Sequence, residues 1–357
     1  LKLPTIEIIF KQLASTFVSR SERGIALLIL KDDTDETFST RMYQNERELF
    51  IDKEKYTAEN YQQLADAMTF LPSKLYAVRI GTTDTLADAL AIIAKTVKTG
   101  WIAHVGTAED YTALAEWIKS QRVLNHRTYK GIVFKSAADS KYIVNLANEK
   151  VTFLDSRGEQ TGDKYIPSLL GILAACNISR GATNYICANL KAAEEPADVN
   201  DALTAGKMIL INDFDDVRIG LGINSMTTLT GNDTEDMKYI DIVETMDLIE
   251  DDIRDTFKNQ YQGRYKNNLD NQMLFVSAVN TYFDTLERNE VLDNNYANNA
   301  DIDITAQRAA WIAEKPEAEY WDDATVRITT YKRDVFLDGN IKILGAMENL
   351  RFPISMF

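Results

Sequence analysis

Six carboxylates crowd one short stretch of the chain: Glu244, Asp247, Glu250, Asp251, Asp252 and Asp255. Two carboxylates make an acid/base pair when their surroundings push their pKa values apart. Here they share the polar face of an amphipathic helical pattern, where water solvates them alike. The pattern therefore predicts a solvated face first, a charged protein interface second and catalysis last. Gly220-Leu221-Gly222 is the glycine pair that could cradle a phosphate. Its third glycine is replaced by Ser225, and the segment reads as a strand entering a turn, so backbone freedom or close packing is the expectation. Cys176 and Cys187 sit among apolar or small residues and are expected as buried free thiols in a reducing compartment, with a disulfide or a reactive thiol as the alternatives. His104 and His126 have no partner at ligand spacing, which favours core or surface roles over a metal site. The patterns G-x-x-x-x-G-K-[ST], G-x-S-x-G and H-E-x-x-H are absent, so no catalytic residue, cofactor or metal is assigned.

The 357 residues carry a formal net charge of -15, with 45% hydrophobic and 26% charged residues. That is a globular composition with apolar material for a core, in one large domain or two to three smaller ones. A chain this acidic is a poor candidate for nucleic acid, whose affinity comes from Lys and Arg neutralising phosphates, and equally poor for an anionic membrane surface. Residues 1–10 lack the pattern of a secretory leader. The longest apolar run, 166–176, is about half of a 20-residue bilayer span. The expectation is a chain made and folded in a cytoplasm.

Stepping along the chain, a strand at 25–30 follows Gly24, and residues 31–52 are charged without clear periodicity. Strands are expected at 75–80, 101–105, 129–134 and 151–154, and helices at 85–96, 110–123 and 166–175. This alternation argues for an α/β layer with a mostly parallel sheet. A second block opens near Asn184. It holds a strand at 185–190, a helix start at 196–205, and strands at 208–211 and 217–221 joined by a hairpin-like loop at 212–216. A long acidic helix, 239–261, follows, with Ile242, Met246, Ile249, Ile253 and Phe257 as its apolar stripe. A second helix spans about 271–286. Strands are expected again at 326–331 and 341–344, with a turn at Asp338-Gly339.

Both ends carry a short alternating strand on a polar or turn-rich lead: Ile6, Ile8 and Phe10 on one face near the start, and Leu350, Phe352, Ile354 and Met356 near the end. An isolated terminal strand cannot bury its one apolar face. Such strands pair either with the chain's own sheet or with a neighbouring subunit. Pro353 lacks a ladder donor and belongs at an edge. Four or five backbone hydrogen bonds, each worth roughly 0.5–1.5 kcal/mol net, are weak alone but strong when summed over a lattice.

Several segments in order then resemble a known family. They are Leu-Pro-x-Ile-x-Ile-x-Phe at 3–10, Arg23-Gly24-Ile25-Ala26, 206–211, the stretch Arg218 to Leu229 with Gly222, Asn224, Ser225 and Thr228, and the acidic helix from Ile240 to Arg254. Together they resemble the contractile tail sheath family, in the compact form of Firmicutes phages, defective prophages and R-type bacteriocins. The match covers most of the chain, is most specific at 218–229, and is poor at 31–130 and 293–325.

The resemblance implies a mixed α/β (α+β) fold: an inner sheath-type α/β domain completed by terminal strands from neighbours, and a middle α/β domain facing outward. It divides the chain into an N-terminal linking arm (1–22), a middle domain (23–183), an inner domain (184–325), and C-terminal strands with a linking arm (326–357). It implies a non-enzymatic structural subunit of a virion or phage tail-like particle, assembled in the bacterial host cytoplasm. The partners it implies are a homo-oligomer of hexameric rings stacked helically, the tail tube, and the baseplate and tail terminator proteins, with no nucleic acid and no membrane insertion. Contraction would drive the tube through a bacterial envelope. The Ile6, Ile8, Phe10, Leu350, Phe352, Ile354 and Met356 side chains would be the intersubunit arms, and Arg218, Gly222, Asn224, Ser225 and Thr228 would belong to the inner layer. The rival reading is an α/β enzyme or small-molecule binding domain with its site at the carboxyl ends of the strands. A tube or surface-layer subunit is a third reading, and the chain is large and helix-rich for a tube.

Overall fold

The apolar runs of the first half become a sheet because each is bracketed by turn residues and followed by an amphipathic helix that covers it. The computed structural model describes residues 18, 20, 21, 23–176 and 180–355. The candidate arm residues Ile6, Ile8, Phe10 and Met356 lie outside these.

The described residues form two compact units, 23–176 and 180–248 with 345–355, and 249–344 with 18, 20 and 21. This division differs from the expected domains. Residues 184–248 belong with 23–183, because β-structure and hydrogen bonds from 184–226 return to the first sheet.

In the larger unit the elements are β1 (Ile25–Lys31), β2 (Thr40–Tyr43), α1 (Glu46–Ile51), α2 (Ala58–Met68), β3 (Lys74–Ile80), α3 (Leu86–Thr96), β4 (Thr99–His104), α4 (Ala108–Asn125), β5 (Thr128–Phe134), β6 (Ile143–Leu146), β7 (Lys150–Phe153), β8 (Glu159–Thr161), α5 (Ile166–Ala175), β9 (Leu190–Ala193), α6 (Val199–Thr204), β10 (Leu210–Asp213) and β11 (Asp216–Ile219). A six-stranded sheet has the order β2-β3-β1-β4-β5-β6. Its last five members are parallel and β2 is an antiparallel edge. Numbered among themselves, the parallel strands run 2-1-3-4-5, a doubly wound order. β1 is its centre, and residues 26–30 are at most 2% exposed. A three-stranded sheet, β8-β7-β9, and the β10–β11 hairpin complete this unit.

Helix α7 (Ile240–Thr256) passes from the larger unit, which ends at Leu248, to the smaller, which resumes at Ile249. A π-helical turn, Phe257–Tyr261, ends it. The smaller unit continues with α8 (Leu269–Arg288), β12 (Asn299–Ile302), α9 (Ile304–Ile312), α10 (Asp323–Ile328) and β13 (Leu337–Asn340). α8 buries Phe275, Val276, Val279, Tyr282, Phe283 and Leu286, and β12 pairs antiparallel with β13.

Four expected elements differ. Residues 326–331 are not a strand: Asp322 caps the amide of Thr325 at 2.7 Å and starts helix α10, which takes in 326–328, and 329–331 have no regular structure. The cap outweighs the β-branched residues that suggested extension. Asp338-Gly339 is not a turn but the middle of β13, where Gly339 lies close enough to Asn299 that a Cβ would sit 3.1 Å from its carbonyl oxygen. The expected strand at 341–344 reduces to a bridge between Ile343 and Leu292. Residues 185–190 form a turn-rich loop with one bridge, Ile186 to Arg218, and the strand there is β9.

Candidate assembly site

The acidic helix is a solvated face only in part: Glu250 is exposed, but four of the six carboxylates are buried. Asp252 is fully buried, Asp247 is 2% exposed, and Glu244 and Asp251 are also buried. Burial of a carboxylate demands partners, and for Asp247 and Glu244 they come from α4 and the sheet. Arg122 at the end of α4 grips Asp247 with both terminal nitrogens, at 2.7 and 2.6 Å. Lys130 of β5 reaches Asp247 at 2.9 Å and Glu244 at 3.1 Å. The Trp101 indole of β4 donates to Glu244 at 2.7 Å. Burial alone would raise the Asp247 carboxyl, but the charges of Arg122 and Lys130 outweigh it and hold that carboxyl well below the usual range. The cluster leaves no acid/base pair free; it fastens the first half of α7 to the parallel sheet. Lys130 was the sequence signal for it, a cation inside the apolar run 129–134 that needs a carboxylate elsewhere.

The stretch from Arg218 to Leu229 joins the same elements. Arg218 pairs with Asp213 at 3.0 Å and Asp216 at 2.9 Å, within the β10–β11 hairpin. The amide of Ser225 donates to Ile143 at 2.7 Å, so this segment covers the outer edge of β6. The Ser225 hydroxyl donates to the Ser140 carbonyl at 3.1 Å. Asn224, 1% exposed, donates to the Met237 carbonyl at 2.7 Å, just ahead of α7. Thr227 and Thr228 donate their amides to Asp139, and these hydrogen bonds hold its carboxyl far below the usual range. Thr228 itself is exposed. Gly222 is not a phosphate cradle: its amide donates to the Thr183 hydroxyl at 2.8 Å, and a Cβ would stand 2.9 Å from the Thr183 amide.

The C-terminal segment returns to the larger unit at Gly345. The Ala346 amide donates to Asp241 at 3.1 Å, and the Thr183 hydroxyl donates to Glu348 at 2.6 Å. Beyond that point the chain has no regular structure as far as Ser355, and Leu350, Phe352 and Ile354 are 91, 74 and 72% exposed. Near the other terminus, the Ser21 amide and the Tyr282 hydroxyl (2.6 Å) both donate to buried Asp252. In the smaller unit, the Asn280 side chain occupies both backbone groups of Ala300, at 2.7 and 3.1 Å. This fills the outer edge of β12. Among the described residues, β13 has no strand on its other side.

The carboxyl ends of β1 and β4, where a doubly wound sheet places a ligand site, hold spent carboxylates. Asp32 accepts from the Thr34 and Thr57 amides and from Asn60, at 2.9, 2.9 and 2.8 Å. Asp33 accepts from Thr82, Asp84 from Gly81, and Asp110 from Thr107. His104 is buried there with Nδ1 3.2 Å from the Ile29 carbonyl oxygen, and burial lowers its pKa. His126 is the exposed left-handed cap of α4. Cys176 and Cys187 are buried free thiols, each pushed up to about 12 by burial. Among the described residues no group of His, Cys, Asp and Glu could hold a metal ion, and no helix is long and apolar enough to cross a membrane.

Comparison with known proteins finds likenesses along the whole chain. Residues 232–357 match the family described as phage tail sheath C-terminal domain. The tail sheath protein of Clostridium phage phiCD119 is 27% identical over 367 residues, covering 99% of each chain. The fold is that of the sheath tail protein of Desulfitobacterium hafniense, with TM-score 0.70, 14% identity, and 84% of this chain and 94% of that one covered. It is also that of the helical sheath of the anti-feeding prophage in its contracted state, with TM-score 0.69, 12% identity and 99% of each chain covered. The chain is thus similar to tail sheath proteins along its whole length, most specifically over 232–357, and it shares their fold.

Proposed function

We propose that the protein is a structural subunit of a contractile sheath that joins its neighbours through both terminal segments. The observation that carries this reading is the C-terminal segment. It presents Leu350, Phe352 and Ile354 to solvent on a fold whose core closes without it. An alternating apolar segment left exposed on a folded body is a surface waiting for a second copy. The outer edge of β13 is suited to receive it, since Asn280 closes the edge of β12. The N-terminal residues Ile6, Ile8 and Phe10, with Met356, would act in the same way.

In this reading the subunits form hexameric rings stacked around a tail tube, between a baseplate and a terminator, and are assembled in the host cytoplasm. Arg218, Gly222, Asn224, Ser225 and Thr228 shape the inner layer: Gly222 and Asn224 hold the start of α7, Ser225 and Thr228 bind β6 and the loop before it, and Arg218 closes the β10–β11 hairpin. Contraction forms more intersubunit contact and lowers free energy stored at assembly, and the covalent arms let rings slide without parting. The spent carboxylates at the strand ends leave the small-molecule reading without support. Negative-stain microscopy tests the proposal: the full chain forms tubes, and a chain lacking 350–357 does not. Normal tubes from the truncated chain would overturn it.

A further inference from the structure

Resting on the reading of the C-terminal segment as an arm, we propose that Thr183 and Asp241 form a clip that fixes the arm's root, so that the free arm begins only at Asn349. Two hydrogen bonds hold the segment. The Ala346 amide donates to the Asp241 carboxylate at 3.1 Å, and the Thr183 hydroxyl donates to the Glu348 carboxylate at 2.6 Å. The clip is built into the body on both sides. Asp241 lies in the first turn of α7, which the Asp247 cluster anchors to the sheet. The Thr183 hydroxyl also accepts the Gly222 amide at 2.8 Å, and Gly222 has no room for a side chain against Thr183. One hydroxyl thus spends its proton on the arm and its lone pair on the Arg218–Leu229 stretch. The segment's side chains are exposed, Met347 at 103% and Leu350 at 91%, so these hydrogen bonds and not burial hold the root.

A pinned root changes what the arm can do. Residues 349–355, fully extended at roughly 3.3–3.6 Å per residue, reach about 24 Å from Glu348. A neighbour's edge that pairs with Leu350, Phe352 and Ile354 must lie within that distance. The arm's exit direction turns with the body, because the clip couples it to α7 and the sheet. Thr183, Asp241 and Glu348 are positioning residues: they touch no partner themselves and aim the segment that does.

Amide hydrogen exchange and tube geometry test this together. In the soluble full-length chain, the Ala346 amide exchanges at least about tenfold more slowly than the amides of 352–355. Asp241→Ala removes that protection. Glu348→Ala frees the segment past the clip and leaves the Thr183–Gly222 contact intact, with unchanged thermal unfolding of the body. The Asp241→Ala, Glu348→Ala double variant still forms tubes, with a broadened subunit rise and twist; Glu348→Gln, which keeps an acceptor, restores wild-type geometry to the tubes. Equal exchange at 346 and 352–355 in the wild-type chain, or wild-type rise and twist in the double variant, would overturn the clip while leaving the arm in place. Normal tubes from a chain lacking 350–357 would instead remove the arm reading, and the exchange measurement would still report on the clip.

Discussion

Asp247 shows how one side chain can be misjudged and why. It lies on what reads as a polar helix face, yet it is buried between Arg122 and Lys130. Breaking a buried ion pair from one side leaves uncompensated charge, which costs about 3–5 kcal/mol. Asp247→Asn should therefore lower the unfolding free energy by about that amount, read from urea titration. The pH dependence has a definite sign. The folded carboxyl is held below its ordinary value, which is near 3.9. The stabilisation is present above about pH 4 and is lost as pH falls through the folded value. Urea midpoints of the wild-type chain should drop below about pH 4, with a shallower drop in Asp247→Asn. Identical acid limbs would contradict the assignment.

At the scale of elements, α5 and α2 approach closely enough that a Cβ on Gly171 would lie 2.1 Å from the Ala67 carbonyl oxygen. Gly171→Ala must push backbone aside, and overpacking of this kind costs about 1–3 kcal/mol. Its thermal midpoint should fall, while Gly158→Ala, with open space around it but a left-handed backbone, should show only the smaller strain of that conformation. The parallel layer was legible because its strands are continuous apolar runs and its helices have stripes; α5 at 166–175 is read to the residue. The regions that failed lacked such a signal. β6 and α2 were passed over, since Ile143–Leu146 is short and α2 mixes polar residues among its few apolar ones. β13 contains Asp338-Gly339, a turn pair by composition that only its pairing with β12 holds extended. Of the assembly site, the exposed terminal pattern was visible in the sequence. The ionic cluster and the clip join residues more than a hundred positions apart, and no local pattern encodes them.

For the whole molecule, the account requires a body that folds without its final residues and a particle that cannot form without them. A chain ending at Asn349 should keep the circular dichroism spectrum and thermal midpoint of the parent, because Leu350, Phe352 and Ile354 contribute exposed surface and little core. It should sediment as a monomer where the full chain grows into large particles. A marked fall in stability would mean that the segment packs on its own body. The most direct test is a helical reconstruction of tubes grown from the full chain, at a resolution that traces 345–357. The account predicts that density for Leu350, Phe352 and Ile354 lies on the body of a neighbouring subunit. Continuous density packing those residues on the body they belong to would contradict it.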